Sequence, residues 1–266
     1  MTDPQQLPPP RKPTATDDLV RQAQDAAVSA ALPALAAFTQ SVMAFARAGG
    51  RVAGSPLTVA TKIGYDAAII ALLIKIANGA LDEQRKLVGN RQAEGLWEHA
   101  DIAQQAGVDG GLSVLKTAAQ HIARAARVDE ATGGSPGVSL PGEPFDPHAH
   151  EHAQTYADPE RIVMPVVQAT RHNAQIAAAD AAGWRFKVWN DVHDNRVRPA
   201  HAFLGAPKYE YHRVPIAEPF VDIDDHKLWF PGDTSAPPHT WMNCRCYLSF
   251  VKGHAGPVGP LLVDNS

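Results

Sequence analysis

Cysteine is almost missing from this chain of 266 residues: there are two, Cys244 and Cys246, a single residue apart. A pair so placed gives no disulfide framework of the kind that compensates for a thin core in small secreted domains, and a reducing cytoplasm is its natural setting. Long apolar runs are missing too. The most apolar stretch, residues 67–74, ends at Lys75, far short of the roughly 20 residues a membrane-spanning helix requires, so a soluble chain is expected. Residues 1–13 hold one acid and five prolines without a continuous apolar segment, which reads as a flexible tail and not as a secretory signal. Neither sign of charge dominates. Residues 1–128 carry 13 basic and 11 acidic side chains and the remainder 11 and 17, so neither half is a basic clamp for DNA. There is no Gly-rich phosphate loop, no His-Glu-x-x-His helix and no Gly-x-Ser-x-Gly elbow, and nucleotide-driven and common hydrolytic mechanisms lose support accordingly.

What is present is enough apolar material, 45% of residues, to bury a real core in one large or two modest domains. After a tail at 1–15, residues 16–128 are alanine-rich and punctuated by glycine and proline, which predicts a helical region of about four helices. Thr16, with Asp17 and Asp18 behind it, is placed to cap the first, which Pro33 is expected to kink and Gly49-Gly50 to end. Ser55-Pro56 opens a second, closed by Asn78-Gly79; a third is expected over 82–106. In the fourth, Leu112, Leu115, Ala119, Ile122 and Ala126 recur at helical spacing and make a packing stripe. Residues 129–157 change to glycine, proline and histidine and form the expected linker; His148, His150 and His152 within it are read as solvated side chains in preference to a metal site. Asp158-Pro159 then starts a helix running past Pro165 to Gly183. The alternation from Trp184 to Trp189 predicts a half-buried strand, and Cys244 to Val251 another. The fold class is α+β: an N-terminal helical region, a flexible linker, a C-terminal domain at 158–252 with one long helix beside a small sheet, and a tail at 253–266. That domain is expected to fold without the helical half.

One segment carries far more information than the rest. Trp189 is followed by Asp194, Arg196, Arg198 and His201 in the pattern Asp-x-Arg-x-Arg-x-x-His, then by Gly205, Phe220, the turn Pro231-Gly232-Asp233 and the run Asn243-Cys244-Arg245-Cys246. Each piece is common; their ordered combination is specific. In order, type and spacing they resemble the phage Mu F-like head morphogenesis, or minor head protein, family, over about a third of the chain. Where family members often carry arginine and then glutamate on the preceding helix, this chain has Arg171, His172 and Asn173.

The resemblance implies a structural protein and not an enzyme: a minor capsid component of a phage or prophage, made in the bacterial cytoplasm and acting in the procapsid or virion. It implies portal and capsid or scaffold proteins as partners, packaged DNA as a further candidate, and no membrane or small-molecule substrate. The alternatives are a metal-dependent nuclease or phosphodiesterase using Asp194, His201 and Arg198, and a module that binds the genome end.

Read from the residues alone, Asp194, Arg196 and Arg198 lie on one side of an extended chain, where carboxylate and guanidinium can pair. Pro199 biases Arg198 toward that geometry, and His201 can complete the cluster by donating to a carboxylate or carbonyl. A polar network pinning a small sheet is preferred over an active site. Trp184, Trp189, Trp229 and Trp241 are expected to pack the sheet. Cys244 and Cys246 are expected as reduced, buried thiols without a cofactor, with Arg245 paired to Asp194 or Asp233. Structural zinc held by Cys244, Cys246, His201 and one more histidine is the runner-up, since the usual two to four residues between zinc cysteines are here one.

Overall fold

The computed structural model describes residues 14–48, 66–88, 95–96, 98–132, 158–191, 197–205 and 213–252. The expected tails and linker, Ser55-Pro56, the three linker histidines, Asp194 and Arg196 lie largely or wholly outside these residues.

Four long helices pack together: α1 (Ala15–Arg47), α2 (Asp66–Val88), α3 (Ala100–Thr132) and α4 (Pro159–Ala181). After them come β1 (Phe186–Asn190), the short α5 (Pro199–Gly205), β2 (Arg213–Pro215), β3 (Phe220–Val221), β4 (Lys227–Leu228), α6 (Pro238–Trp241) and β5 (Tyr247–Val251). The α+β class expected from the sequence is what is observed.

Several boundaries differ from the sequence expectation, each for a local reason. The cap of α1 is Thr14 and not Thr16: its hydroxyl accepts from the Asp17 amide at 3.2 Å while the Asp17 carboxylate takes the Thr14 amide at 2.7 Å. Asn78-Gly79 does not stop α2. A glycine inside a helix costs about 1 kcal/mol, whereas the neighbours Ala77, Ala80 and Leu81 are all buried, so tertiary packing outweighs propensity. Residues 82–88 therefore continue α2, and the next long helix starts at Ala100. Among the described residues the first half supplies three long helices, and the fourth of the bundle is α4.

Apolar spacing dictates the bundle's interior. Leu35, Phe38 and Val42 of α1, Ile69 and Leu73 of α2, Leu115 and Ile122 of α3, and Ile162, Val166 and Val167 of α4 meet in one core. Burying each such side chain is worth about 1.5–3 kcal/mol. The stripe expected on α3 is part of it: Leu115, Ala119 and Ile122 are buried and Leu112 packs alongside. By length and composition α1 is apolar enough to cross a membrane; 28% of its most apolar stretch is buried within the protein, and Val20, Leu35, Phe38 and Val42 are among its fully buried apolar positions. Gly111 lets α3 approach α4 and α2 closely, since a Cβ there would meet Thr170 Oγ1 at 2.4 Å and Leu73 at 2.7 Å.

Asp158 caps α4 by accepting from the Glu160 amide, Pro159 takes the first turn, and the helix runs through Pro165 to end beside Gly183 at φ +73°. Beyond it β1 is the centre of a three-stranded antiparallel sheet, order β2-β1-β5, with Lys187 opposite Val214 and Phe250, and Trp189 opposite Leu248. β3 and β4 form a separate hairpin pair with Phe220 opposite Leu228. A second core joins these strands to the bundle: Trp184, Trp189, Phe220 and Leu248 pack with Ala178 of α4, Ala103 of α3, and Ala77 and Leu81 of α2. Both cores thus draw on residues from each side of the expected linker. The C-terminal part shares its interior with the helical half, and the expectation that it folds alone does not fit this packing.

Candidate functional site

The family-like residues lie far apart in sequence, yet most described ones gather around the 242–246 segment, just before β5. That segment has few ladder partners, because the strand begins only at Tyr247 and not at Cys244. Its carbonyls are taken instead by side chains from two helices and from the residue that precedes a third. Gln168 of α4 donates through Nε2 to Cys244 O at 2.9 Å and Cys246 O at 3.2 Å; Gln24 of α1 donates to Arg245 O at 3.1 Å. Arg198, immediately before α5, donates to Met242 O. Buried carbonyls left without donors would each cost about 1–3 kcal/mol, so these side chains fix the segment's path.

Asn243 turns the chain at φ 54°, a left-handed conformation that asparagine tolerates better than most residues. Cys244 and Cys246 then point inward, each 2% exposed, while Arg245 faces out. Arg245 pairs with Asp25 of α1 at 3.8 Å and not with Asp233, whose carboxylate is occupied by its own turn. Next in the chain, Tyr247 donates to Asp17 at 3.0 Å, so α1 is tied to this segment at three points.

His201 is 1% exposed on α5 and meets neither a carboxylate nor a carbonyl among its described hydrogen-bond partners. Its Nδ1 lies 3.5 Å from Cys244 Sγ and 3.7 Å from Cys246 Sγ. The Trp189 ring stands tilted against the imidazole at 5.1 Å, and Phe220 packs edge-on to Trp189 at 5.4 Å. Gly205, at the end of α5, sits against Asp191, where a Cβ would come within 2.6 Å of the carboxylate. Burial pushes both thiols up. Against it, hydrogen bonding to Cys246 and His201 brings Cys244 well below the usual thiol range, whereas Cys246 rises further under its neighbour sulfur and the charge of Asp191. The expected network of Asp194, Arg196, Arg198 and His201 is described only in its second half, and there Arg198 and His201 both hold the 242–246 segment.

Pro231-Gly232-Asp233 forms the expected turn. Gly232 has φ +84° and presses on Gln168 of α4, where a Cβ would fall 2.8 Å from the Gln168 Cβ. Asp233 accepts from the Trp229 and Ser235 amides at 2.8 and 2.9 Å, and His172 Nδ1 lies 3.0 Å from Pro231 O. Burial, reinforced by the neighbouring Arg171 charge, holds His172 well below the usual imidazole range, so it sits neutral against that carbonyl. Arg171 itself pairs with Glu83 of α2, each side chain 3% exposed, and donates to Gln168 at 3.2 Å. Glu83 thus supplies from α2 a carboxylate partner for the α4 arginine.

Sequence reasoning missed Gln24, Gln168 and Lys187. Glutamine has no local signature of burial, and a lysine within an alternating strand gives no sign of it either. In fact β1 buries Lys187 and Trp189, while Phe186 and Val188 are only partly buried. The Lys187 ammonium donates to Trp229 O at 2.9 Å and lies over the Phe220 and Trp229 rings at 5.2 and 5.3 Å. Burial pushes it down to about 8, against the pull of Asp233. Two tryptophans also differ from expectation: Trp229 is 46% exposed, and Trp241 packs into the bundle and not the sheet. A cluster of Asp222, Asp224 and His226 is a turn built on Asp222, which accepts from the Asp224 and His226 amides.

No family model matches the chain, and no significant match emerged among curated proteins or solved structures.

Proposed function

We propose that this is a minor head protein of the phage Mu F-like type, acting structurally in procapsid assembly at or near the portal. The observation that carries the reading is the ordered series Trp189, Arg198, His201, Gly205, Phe220, Pro231-Gly232-Asp233 and Asn243-Cys244-Arg245-Cys246. It gains support from position. Trp189 packs on His201 and Phe220, His201 meets both cysteines, and Arg198 and Gln168 hold the same segment, so much of the pattern lies in one place in the fold. His201, the residue a hydrolytic alternative would need, is buried behind Trp189 and shares its nitrogen with two sulfurs, which favours a structural role. Partners on this reading are the portal and the capsid or scaffold, and the location is the procapsid or virion.

The test is co-expression with portal, scaffold and capsid proteins of the same phage or prophage. Co-sedimentation with portal rings or procapsids is the expected result. Particles that assemble and package normally without the chain, and never contain it, would overturn the reading.

A further inference from the structure

We propose that His201, Cys244 and Cys246 are three protein ligands of a zinc site, with the fourth position left to a water or to a residue outside the described ones. The inference rests on geometry and holds or falls apart from the head-assembly reading.

The three ligand atoms lie within 4.8 Å of one another, and all three residues are buried. A tetrahedral zinc ion with bonds of about 2.3 Å to sulfur and about 2.0 Å to nitrogen requires sulfur–nitrogen edges of about 3.5 Å. The observed edges are 3.5 and 3.7 Å. Without a metal the three atoms are linked by hydrogen bonds, between the two sulfurs and from them to the single ring nitrogen. A cation bonds to all three atoms at once. Two thiolates, a neutral imidazole and Zn²⁺ also sum to zero charge, which lowers the cost of burying the ion here. Thiolate with imidazole selects zinc over the oxygen-seeking magnesium or calcium.

The one-residue spacing of the cysteines is no obstacle once the backbone is fixed. Both sulfurs turn to His201, as side chains two apart on extended backbone do, and Gln168 fixes that backbone by holding the carbonyls of both cysteines at 2.9 and 3.2 Å. Arg198 and His201, three residues apart around Pro199, bring α5 down on the same segment. The protein therefore sets the ligands in place by hydrogen bonds outside the ligand set, the arrangement that orients metal ligands elsewhere. The ion would fasten α5 to the segment that leads into β5.

The experiment uses the full chain without a His-tag, offered Zn²⁺ and then freed of excess. About one zinc ion per chain is expected, absent from the double variant Cys244→Ser/Cys246→Ser. Replacing zinc with Co²⁺ in the wild-type chain should give the near-ultraviolet thiolate-to-cobalt band, a readout that does not depend on any variant folding. Chelation should lower the melting midpoint by on the order of 10 °C, restored by added zinc. A wild-type chain that takes up neither ion overturns the proposal, as does a double variant that keeps its zinc.

Discussion

The bundle and the C-terminal site are held by different means. In the bundle, ordinary apolar side chains such as Leu35, Phe38, Leu115 and Val166 meet at helical spacing, and the backbone satisfies itself within each helix. Around 213–252 the strands are two to five residues long, so many carbonyls have no ladder partner and side chains must reach across to them. Gln168, Gln24, Arg198, Lys187 and His172 each bond or face one or two backbone oxygens. A region poor in regular structure is thus specified by single polar contacts, and it depends on α4 and α1 to deliver three of them, Gln168 and His172 from α4 and Gln24 from α1.

The largest test of that contrast removes the bundle altogether. Residues 158–252 alone would expose Ile162, Val166, Val167 and Trp241, all 1% exposed or less in the full chain, and would lose the Gln24 and Asp17 contacts. We expect no cooperative melt and poorly dispersed amide resonances from this fragment. A sharp unfolding transition would restore the independent domain that composition suggests.

Arg171→Ala is the next largest. It strands Glu83, whose carboxyl burial already raises despite the guanidinium beside it, and should cost about 3–5 kcal/mol in urea unfolding. The paired change Glu83→Gln/Arg171→Met should recover much of this. If the single and double variants melt alike, the pair is not coupled.

Gln168→Ala against Leu35→Ala separates the two modes directly. Both should cost about 2–3 kcal/mol, one by unsatisfied carbonyls and the other by a cavity. In native conditions only Gln168→Ala should speed labelling of Cys244 and Cys246. Equal labelling rates would mean that Gln168 does not position the segment. Smaller again, Arg198→Ala should lose about 1–2 kcal/mol through the Met242 carbonyl, whereas Arg185→Ala, on an exposed side chain, should lie within about 0.5 kcal/mol of wild type.

The smallest effect is one of pH. Lys187 is lowered from 10.5 to about 8, so between these values the unfolded chain binds more protons and stability rises with pH. A gain on the order of 1 kcal/mol is expected from pH 8 to about 9.5, ahead of Tyr247, whose buried hydroxyl is raised and whose ionisation on unfolding pulls the other way above pH 10. Lys187→Met should flatten the rise. An unchanged slope in that variant would assign it to other groups.

Sequence alone determined the class of the fold, the start of α4 at Asp158-Pro159, the packing stripe of α3 and the Pro-Gly-Asp turn. These are set by local periodicity, capping and backbone preference, which act within a few residues. It also carried the ordered motif and the suggestion that His201 belongs with the cysteines. Helix boundaries inside the alanine-rich half were not legible, since Asn78-Gly79 is overruled by buried neighbours on other helices. Nor was the inward face of β1, because Lys187 is buried by Phe220, Trp229 and a carbonyl some 40 residues away. The tertiary structure decided that α4 is the fourth helix of the bundle as well as the support of the sheet. It also decided that Gln168, Gln24 and Arg198 hold the 242–246 segment with both sulfurs turned to His201. Contacts of that range are fixed by which surfaces must be buried together, and no short stretch of sequence encodes them.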